Sequence, residues 1–132
     1  MSSLPLHQGV APARELDSAG VHLLADFWGA RRLTDLDFVR RCLEQAVAVA
    51  DATLLEIKLH HFSPNFGISG VALLAESHLS VHTWPEREYA AIDVFMCGDA
   101  RPELAVESLR HTLQPRRIQM QSILRGRTEA GV

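Results

Sequence analysis

The sequence is poor in cysteine and has no excess of positive charge. Only Cys42 and Cys97 occur in its 132 residues, too few for the disulphide framework of a small secreted domain. Lysine and arginine number 13 against 16 aspartates and glutamates, which gives a formal net charge of -3. Because the chain has no basic field, it is not suited to bind nucleic acid or an anionic membrane surface.

Long apolar runs are also missing. No window approaches the length of apolar sequence that spans a bilayer. Residues 1–20 lack the positively charged start and the apolar run of a signal peptide. Both absences predict a cytoplasmic protein with two free thiols and no membrane partner.

The size and composition fit one globular domain, since 47% of the residues are hydrophobic and 22% are charged. Residues 1–19 contain Pro5, Gly9 and Pro12 without any sustained periodicity. We therefore expect a flexible leader over 1–19 and a single domain over 20–132.

Apolar periodicity predicts the elements of this domain. Strands are expected at about 21–28, 53–62, 71–75, 90–96 and 118–124, and helices at about 35–50 and from Pro102 to Pro115. This order predicts an α+β fold: a two-layer sandwich with a mainly antiparallel sheet and two helices on one face.

Finer features of the helices follow from residue type. Thr34, with Asp37 three positions later, resembles a capping box at the start of the first helix. Cys42 lies beside the apolar stripe of that helix and is expected to fill the core. Leu104 is expected on the buried side of the second helix, together with Ala105 and Leu109.

The strands raise two questions about function. Asp26 is either a site residue or an edge-strand carboxylate that faces water. Residues 53–62 alternate strictly, so one covered face is expected, formed by Leu55, Ile57, Leu59 and His61. Adjacent strand residues point to opposite faces, so His60 and His61 cannot readily share an ion, and we expect no metal.

Most of the reactive side chains fall between residues 67 and 98. Within this block a Glu-Ser-His step lies where one strand passes into the next, with imidazoles at His78 and His82. If the backbone is strained there and a polar neighbour takes the proton, the Ser77 hydroxyl can attack the carbonyl of Glu76. The same tripeptide also occurs in ordinary turns.

Three motifs in the block closely resemble the S-adenosylmethionine decarboxylases of bacteria and archaea, small pyruvoyl-dependent enzymes that are made as proenzymes. The motifs are Glu76-Ser77-His78-Leu79, His82-Thr83-Trp84-Pro85-Glu86 and Phe95-Met96-Cys97-Gly98. The resemblance extends from about Gly20 to Arg127.

The resemblance implies self-cleavage between Glu76 and Ser77, which gives a beta chain of 1–76 and an alpha chain of 77–132. An N-to-O acyl shift and an elimination leave dehydroalanine, which hydrolyses to a pyruvoyl group formed from Ser77. The substrate amine then forms a Schiff base with this cofactor, which accepts the electron pair left by decarboxylation. No metal is implied.

The resemblance also implies the role of each site residue. Glu76 is the cleavage partner of Ser77, and His82 and Ser69 assist processing. Cys97 is the proton donor that returns a proton to the α-carbon; a thiol suits this role because it is mostly protonated at neutral pH.

Substrate binding is implied less sharply. Relatives place the adenine between aromatic rings, and either Phe62 or Phe66 matches, because this chain has an extra residue at Asn65-Phe66. Glu86 matches the position that holds the ribose hydroxyls, whereas Trp84 on its own is more typical of core packing. The chain also has Gly29-Ala30-Arg31 where relatives commonly have Gly-Cys-Asp.

The resemblance implies conversion of S-adenosylmethionine to its decarboxylated form for spermidine synthesis, by a homodimer whose two cleaved protomers both contribute to each site. Two alternatives stay open. The first is a paralogue that decarboxylates L-ornithine or L-arginine with the same chemistry, pairing a basic substrate with a carboxylate such as Asp26, Glu86 or Asp93. The second is a non-catalytic regulatory partner of an active paralogue.

Overall fold

Six strands form one antiparallel sheet in a computed structural model, which describes residues 18–127 of the chain. The strands are β1 (Gly20–Trp28), β2 (Leu54–His61), β3 (Ile68–Leu74), β4 (Ser77–Trp84), β5 (Tyr89–Met96) and β6 (Arg117–Arg125), in the spatial order β2-β3-β4-β5-β1-β6. Each pair of neighbouring strands is antiparallel. Helices α1 (Leu36–Val49) and α2 (Pro102–Leu113) complete the fold.

The sheet has one covered face and one open face. On β5, Ala90, Ile92, Val94 and Met96 are buried, whereas the residues between them are only half-buried. This alternation follows from the two-residue period of a strand, and the helices cover the side that carries the apolar set. The α+β sandwich expected from the sequence is confirmed, and the sheet is wholly antiparallel.

Both helices pack an apolar stripe on this sheet and on each other. The cap of α1 differs from the prediction. Asp35, not Thr34, is the N-cap, because its carboxylate accepts a hydrogen bond of 3.0 Å from the backbone N–H of Phe38. Cys42 is buried in the core as expected.

The buried side of α2 was predicted wrongly at one position. Leu104 is 37% exposed, and the adjacent turn is buried through Ala105 and Val106 instead. The two helices pack against each other as well as on the sheet, so the covered stripe of α2 is turned away from Leu104.

Strand β1 lies inside the sheet between β5 and β6, so Asp26 is not an edge-strand residue. Its carboxylate lies on the open face and accepts a hydrogen bond of 2.5 Å from the hydroxyl of Tyr89. Burial of the hydroxyl and its bond to Asp26 raise the pKa of Tyr89 to about 12.

Strand β2 lies at one edge of the sheet, opposite β6 at the other, and its covered face is smaller than predicted. Ile57 and Leu59 are half-buried against the core, but Leu55 is 61% exposed. A register shift between Leu54 and Glu56 leaves Leu55 without a partner on β3, which is typical of a bulge at the edge of a sheet.

Two further expectations concern the termini and the membrane. Residues 1–17 of the expected leader lie outside the described residues. Among residues 18–127, none of the helices has the length and apolar content needed to cross a bilayer.

Candidate active site

The β3–β4 hairpin places a strained residue immediately before Ser77. Leu74 pairs with Ser77, so Ala75 and Glu76 form the turn. Glu76 has a φ of 62°, in the left-handed region where a side chain costs about 1 kcal/mol. The Glu76–Ser77 peptide bond therefore follows a residue with a strained backbone conformation.

Ser77, Glu76 and Cys97 form one cluster, here called the Ser77 group. The Ser77 hydroxyl turns back along the hairpin and donates to the carbonyl oxygen of Ala75 at 3.2 Å. The Cys97 thiol donates to the carbonyl oxygen of Glu76 at 3.1 Å. A donor on that oxygen polarises the carbonyl that the hydroxyl would attack.

The environment keeps the Cys97 thiol protonated. Burial raises its pKa above the usual value, and the nearby negative charge of Glu76 raises it further. A thiol with a raised pKa carries its proton throughout the neutral range and can donate it. Cys42 is the other free thiol, and it is buried in the core.

Removing the charge of Glu76 should lower the pKa of Cys97. We expect Glu76→Gln, placed in an uncleaved Ser77→Ala chain, to increase the rate of Cys97 alkylation by iodoacetamide at pH 8, because more thiolate is present. The pH profile of the alkylation rate, read by peptide mass spectrometry, measures this shift. Glu107→Gln on α2 is the control, and an equal shift there would contradict the assignment.

A second cluster lies at the other end of β4 and is here called the Phe62 pocket. It is a cavity of about 800 Å³, within the range of small-molecule sites, and its lining includes Phe62, Phe66, Ser69, His82 and Glu86. Ser69 and His82 face each other across β3 and β4, and the Ser69 hydroxyl and His82 Nδ1 are 2.9 Å apart. The structure thus brings together five of the residues singled out in the sequence.

The side chains of both phenylalanines are exposed at the pocket. Phe62 is 60% exposed and Phe66 is 63% exposed. Gly67 lets this loop approach the end of β4, because a Cβ there would lie 2.2 Å from the carbonyl oxygen of Thr83. An exposed aromatic pair beside a cavity is typical of a site that binds a flat apolar group.

Trp84 belongs to this pocket and not to the core, contrary to the expectation for it. Its side chain is 40% exposed and lines the cavity. Its ring stacks on Tyr89 with centroids 5.2 Å apart, and Tyr89 stacks on Trp28 at 4.3 Å. Because even-numbered residues of β4 face the open side of the sheet, this side chain cannot reach the core.

The two clusters do not meet within one chain. Ser77 begins β4 and His82 lies five residues further along it, a separation of roughly 16 Å for an extended strand. Because Ser77 is odd-numbered and His82 even-numbered, the alternation of β4 does not place them on the same face, and the two residues are not in contact. Sequence reasoning named the residues of both clusters but not this separation.

A third group was not recognised from the sequence. His22 of β1 and His78 of β4 both contact the carboxylate of Asp93 on β5. The three residues are far apart along the chain, and only the strand order brings them together.

The unusual residues at 29–31 lie in a separate place. They line another cavity of about 740 Å³, together with Arg32 and Arg116. The extra residue at Asn65-Phe66, by contrast, lies in the lining of the Phe62 pocket.

A helix-covered antiparallel sheet that carries a strained Glu-Ser bond beside a protonated thiol defines a small α+β enzyme. Residues 21–126 match the family described as S-adenosylmethionine decarboxylase. The chain belongs to this family.

Relatives and a solved structure agree with this membership. The S-adenosylmethionine decarboxylase proenzyme of Thermomicrobium roseum is 41% identical over 84% of this chain and 97% of its own length. The proenzyme of Methanococcus vannielii is 44% identical over 81% of this chain and 89% of its own length. The adenosylmethionine decarboxylase of Aquifex aeolicus has a similar crystal structure, with a TM-score of 0.77, 37% identity and coverage of 86% of this chain and 95% of that one.

Proposed function

We propose that the chain is a self-processing, pyruvoyl-dependent decarboxylase that converts S-adenosylmethionine to its decarboxylated form for spermidine synthesis. The observation that carries the proposal is the left-handed Glu76 between the Ser77 hydroxyl and the Cys97 thiol. Relatives that cover nearly the whole domain are named S-adenosylmethionine decarboxylase proenzymes.

Self-cleavage uses the strain at Glu76. Attack of the Ser77 hydroxyl on the Glu76 carbonyl carbon breaks the peptide C–N bond and forms an ester, which relieves the left-handed conformation of the turn. The Cys97 thiol stabilises the carbonyl oxygen during this step. Elimination then releases Glu76 as a carboxylate, so the products are chains 1–76 and 77–132.

The residues around position 77 fit a pyruvoyl group. Ser77 is half-buried at the start of β4 and pairs with Leu74 of β3, while the next residue, His78, pairs with Phe95 of β5, so a ketone formed at position 77 lies at the end of a paired strand. Such a group supplies the electron sink that decarboxylation of an amino acid requires and that no ordinary side chain provides. Cys97 keeps its proton at neutral pH and delivers it to the α-carbon.

The Phe62 pocket suits the nucleoside part of S-adenosylmethionine. Phe62 and Phe66 present exposed rings on which adenine can stack. The Glu86 carboxylate lies in the lining of the same cavity and can accept hydrogen bonds from both ribose hydroxyls. Its volume of about 800 Å³ accommodates a ligand of this size.

A homodimer would join the two clusters. We infer that a two-fold axis through the open face of the sheet sets β4 of one protomer antiparallel to β4 of its partner. The Ser77 group of each chain then meets the Phe62 pocket of the other, with Ser69 and His82 close enough to serve both cleavage and turnover. Exposed apolar side chains on this face support the interface, namely Leu24, Val71, Leu73 and Ile123.

The cytoplasm is the compartment that suits this chemistry. Cys97 must remain a free thiol to donate a proton, and reducing compartments keep thiols free.

The proposal is tested by mass and by carbon dioxide release. We expect the purified chain to split into two species whose masses correspond to 1–76 and to 77–132 with pyruvoyl at position 77. The processed protein should release carbon dioxide from S-adenosylmethionine and not from L-ornithine or L-arginine. Release from either basic amino acid alone would assign another substrate, and an uncleaved, inactive chain would indicate a regulatory partner.

A further inference from the structure

Cleavage before Ser77 would remove the covalent turn that holds the start of β4 against β3. The strand would begin at a free chain end, held only by pairing of Ser77 with Leu74 and of His78 with Leu73 and Phe95. Terminal residues of a strand open more readily than its centre. Yet residue 77 must stay in place, because it carries the reacting group beside Cys97.

A chain of polar contacts lies one residue away from the cleavage point. The Asp93 carboxylate contacts His22 Nε2 through Oδ1 and His78 Nε2 through Oδ2, the latter at 3.3 Å. The Arg125 guanidinium donates to His22 Nδ1 at 2.9 Å. The His22 side chain is 14% exposed, whereas His78 is 34% and Asp93 is 35% exposed.

The direction of these hydrogen bonds is set by Arg125. A guanidinium only donates, so the Nδ1 atom of His22 must hold a lone pair, and a neutral ring then carries its hydrogen on Nε2. That hydrogen faces Asp93, which accepts it. Asp93 is thus bonded to the His22 ring, whose orientation is fixed by Arg125 at Nδ1. The second carboxylate oxygen of Asp93 accepts a hydrogen bond from His78.

Aromatic packing holds the same group from one side. The Phe95 ring lies 5.4 Å from the His22 ring and 6.0 Å from the His78 ring, measured between centroids. The Arg125 guanidinium lies 5.8 Å from the centroid of the Phe95 ring. Asp93 thus belongs to a connected group with four residues from four strands, of which the two histidines contact it directly.

The same cluster has the spacing of a metal site, since its three ligand atoms lie within 4.8 Å of one another. A ligating imidazole presents a lone pair on Nε2 and donates from Nδ1 to an oxygen. His22 faces a donor at Nδ1, so its tautomer is the opposite one. The geometry therefore favours a hydrogen-bonded anchor over an ion.

We propose that Asp93, held by His22 and Arg125, anchors the His78 side chain and so keeps the new chain start at Ser77 in the sheet after self-cleavage. This inference rests on the proposed cleavage between Glu76 and Ser77. Asp93 is a positioning residue: it acts through His78 on the placement of residue 77 relative to Cys97. Before cleavage the covalent hairpin itself keeps residue 77 in the sheet. The contribution of Asp93 to this placement is therefore largest in the processed enzyme.

The test compares Asp93→Asn in two backgrounds. One is the processed chain, and the other is the Ser77→Ala chain, which keeps its hairpin. An asparagine can accept from only one of the two imidazoles and turns its amide hydrogens toward the other. We expect amide hydrogen exchange at 78–80 to become about tenfold faster in the processed chain and to change less than about twofold in the uncleaved one.

A kinetic readout and a matched control accompany the exchange measurement. The kcat of Asp93→Asn should fall while KM stays close to that of the native enzyme, because the Phe62 pocket is untouched. Asp26→Asn removes another hydrogen-bonded carboxylate from the same face of the sheet, and it should leave exchange at 78–80 unchanged. Should Asp93→Asn fail to fold, Arg125→Gln keeps Asp93 but removes the guanidinium from His22 Nδ1 and from the Phe95 ring, with an expected acceleration of about threefold.

The outcomes separate this inference from the proposed function. If mass spectrometry shows that the native chain is not cleaved, the proposed function is wrong, whatever the exchange experiment gives. Equal acceleration in both backgrounds, or none in either variant, would overturn the anchor while leaving the cleavage intact. Zinc that copurifies with the native chain but not with Asp93→Asn would contradict the assignment of the His22 hydrogen to Nε2. It would therefore also contradict the proposed anchor.

Discussion

Replacing Ser77 by alanine is expected to leave the chain in one piece and to reduce carbon dioxide release by roughly a thousandfold or more, as when a covalent centre is removed. Alanine has no hydroxyl to attack the Glu76 carbonyl, and no pyruvoyl group can form from it. The left-handed turn at Glu76 is then kept, because nothing relieves its strain. Intact mass and a radiometric assay of carbon dioxide release from S-adenosylmethionine measure both effects.

Ser80→Ala is the control for this change. Ser80 is three residues further along β4 and, like Ser77, is half-buried. Cleavage and turnover should survive its replacement. If the Ser77→Ala chain were cleaved at the same bond, or released carbon dioxide as fast as the native enzyme, the source of the electron sink would lie elsewhere and the proposed function would be wrong.

Local patterns predicted β5 and α1 well, but not β4, whose buried residues Leu79 and Val81 alternate with polar ones. Strand β5 and helix α1 show a complete alternation or stripe, and both were placed within a residue or two of their actual ends. The pattern says less about how much of a face is covered. Leu55 and Leu104 are apolar and fit the period of the buried residues in their elements, yet both are exposed. Leu55 lies on an edge strand with a register shift, and Leu104 lies on a helix whose covered side is set by its contact with the other helix. Both features depend on the assembled fold.

A candidate reaction could be proposed from the sequence where it depends only on neighbours in the chain. The Glu76–Ser77 bond is such a case, since the hydroxyl and the carbonyl that it attacks belong to consecutive residues. Contacts set by strand order were not predictable in this way. His22 and Asp93 are separated by 71 positions, and they meet because β1 inserts between β5 and β6. Likewise, the separation between Ser77 and His82 depends on β4 being extended throughout.

That separation leads to a complementation experiment with two inactive chains. Cys97→Ala damages the Ser77 group and Glu86→Ala damages the Phe62 pocket, so each homodimer carries two defective sites. In a mixed dimer, one site combines both defects, but the other combines the intact Ser77 group of the Glu86→Ala chain with the intact pocket of the Cys97→Ala chain. Coexpression should therefore restore activity that neither chain has alone.

The expected size of the restored activity follows from two-fold symmetry. Random pairing makes half of the dimers mixed, and each mixed dimer has one working site out of two, so about a quarter of the native activity should return. Mixed dimers isolated with two different affinity tags should show about half. If both clusters of a site came from the same chain, the coexpressed and the isolated mixed dimers would remain as inactive as the parents. In that case, the roughly 16 Å between Ser77 and His82 would have to be closed by a movement within one protomer rather than by its partner.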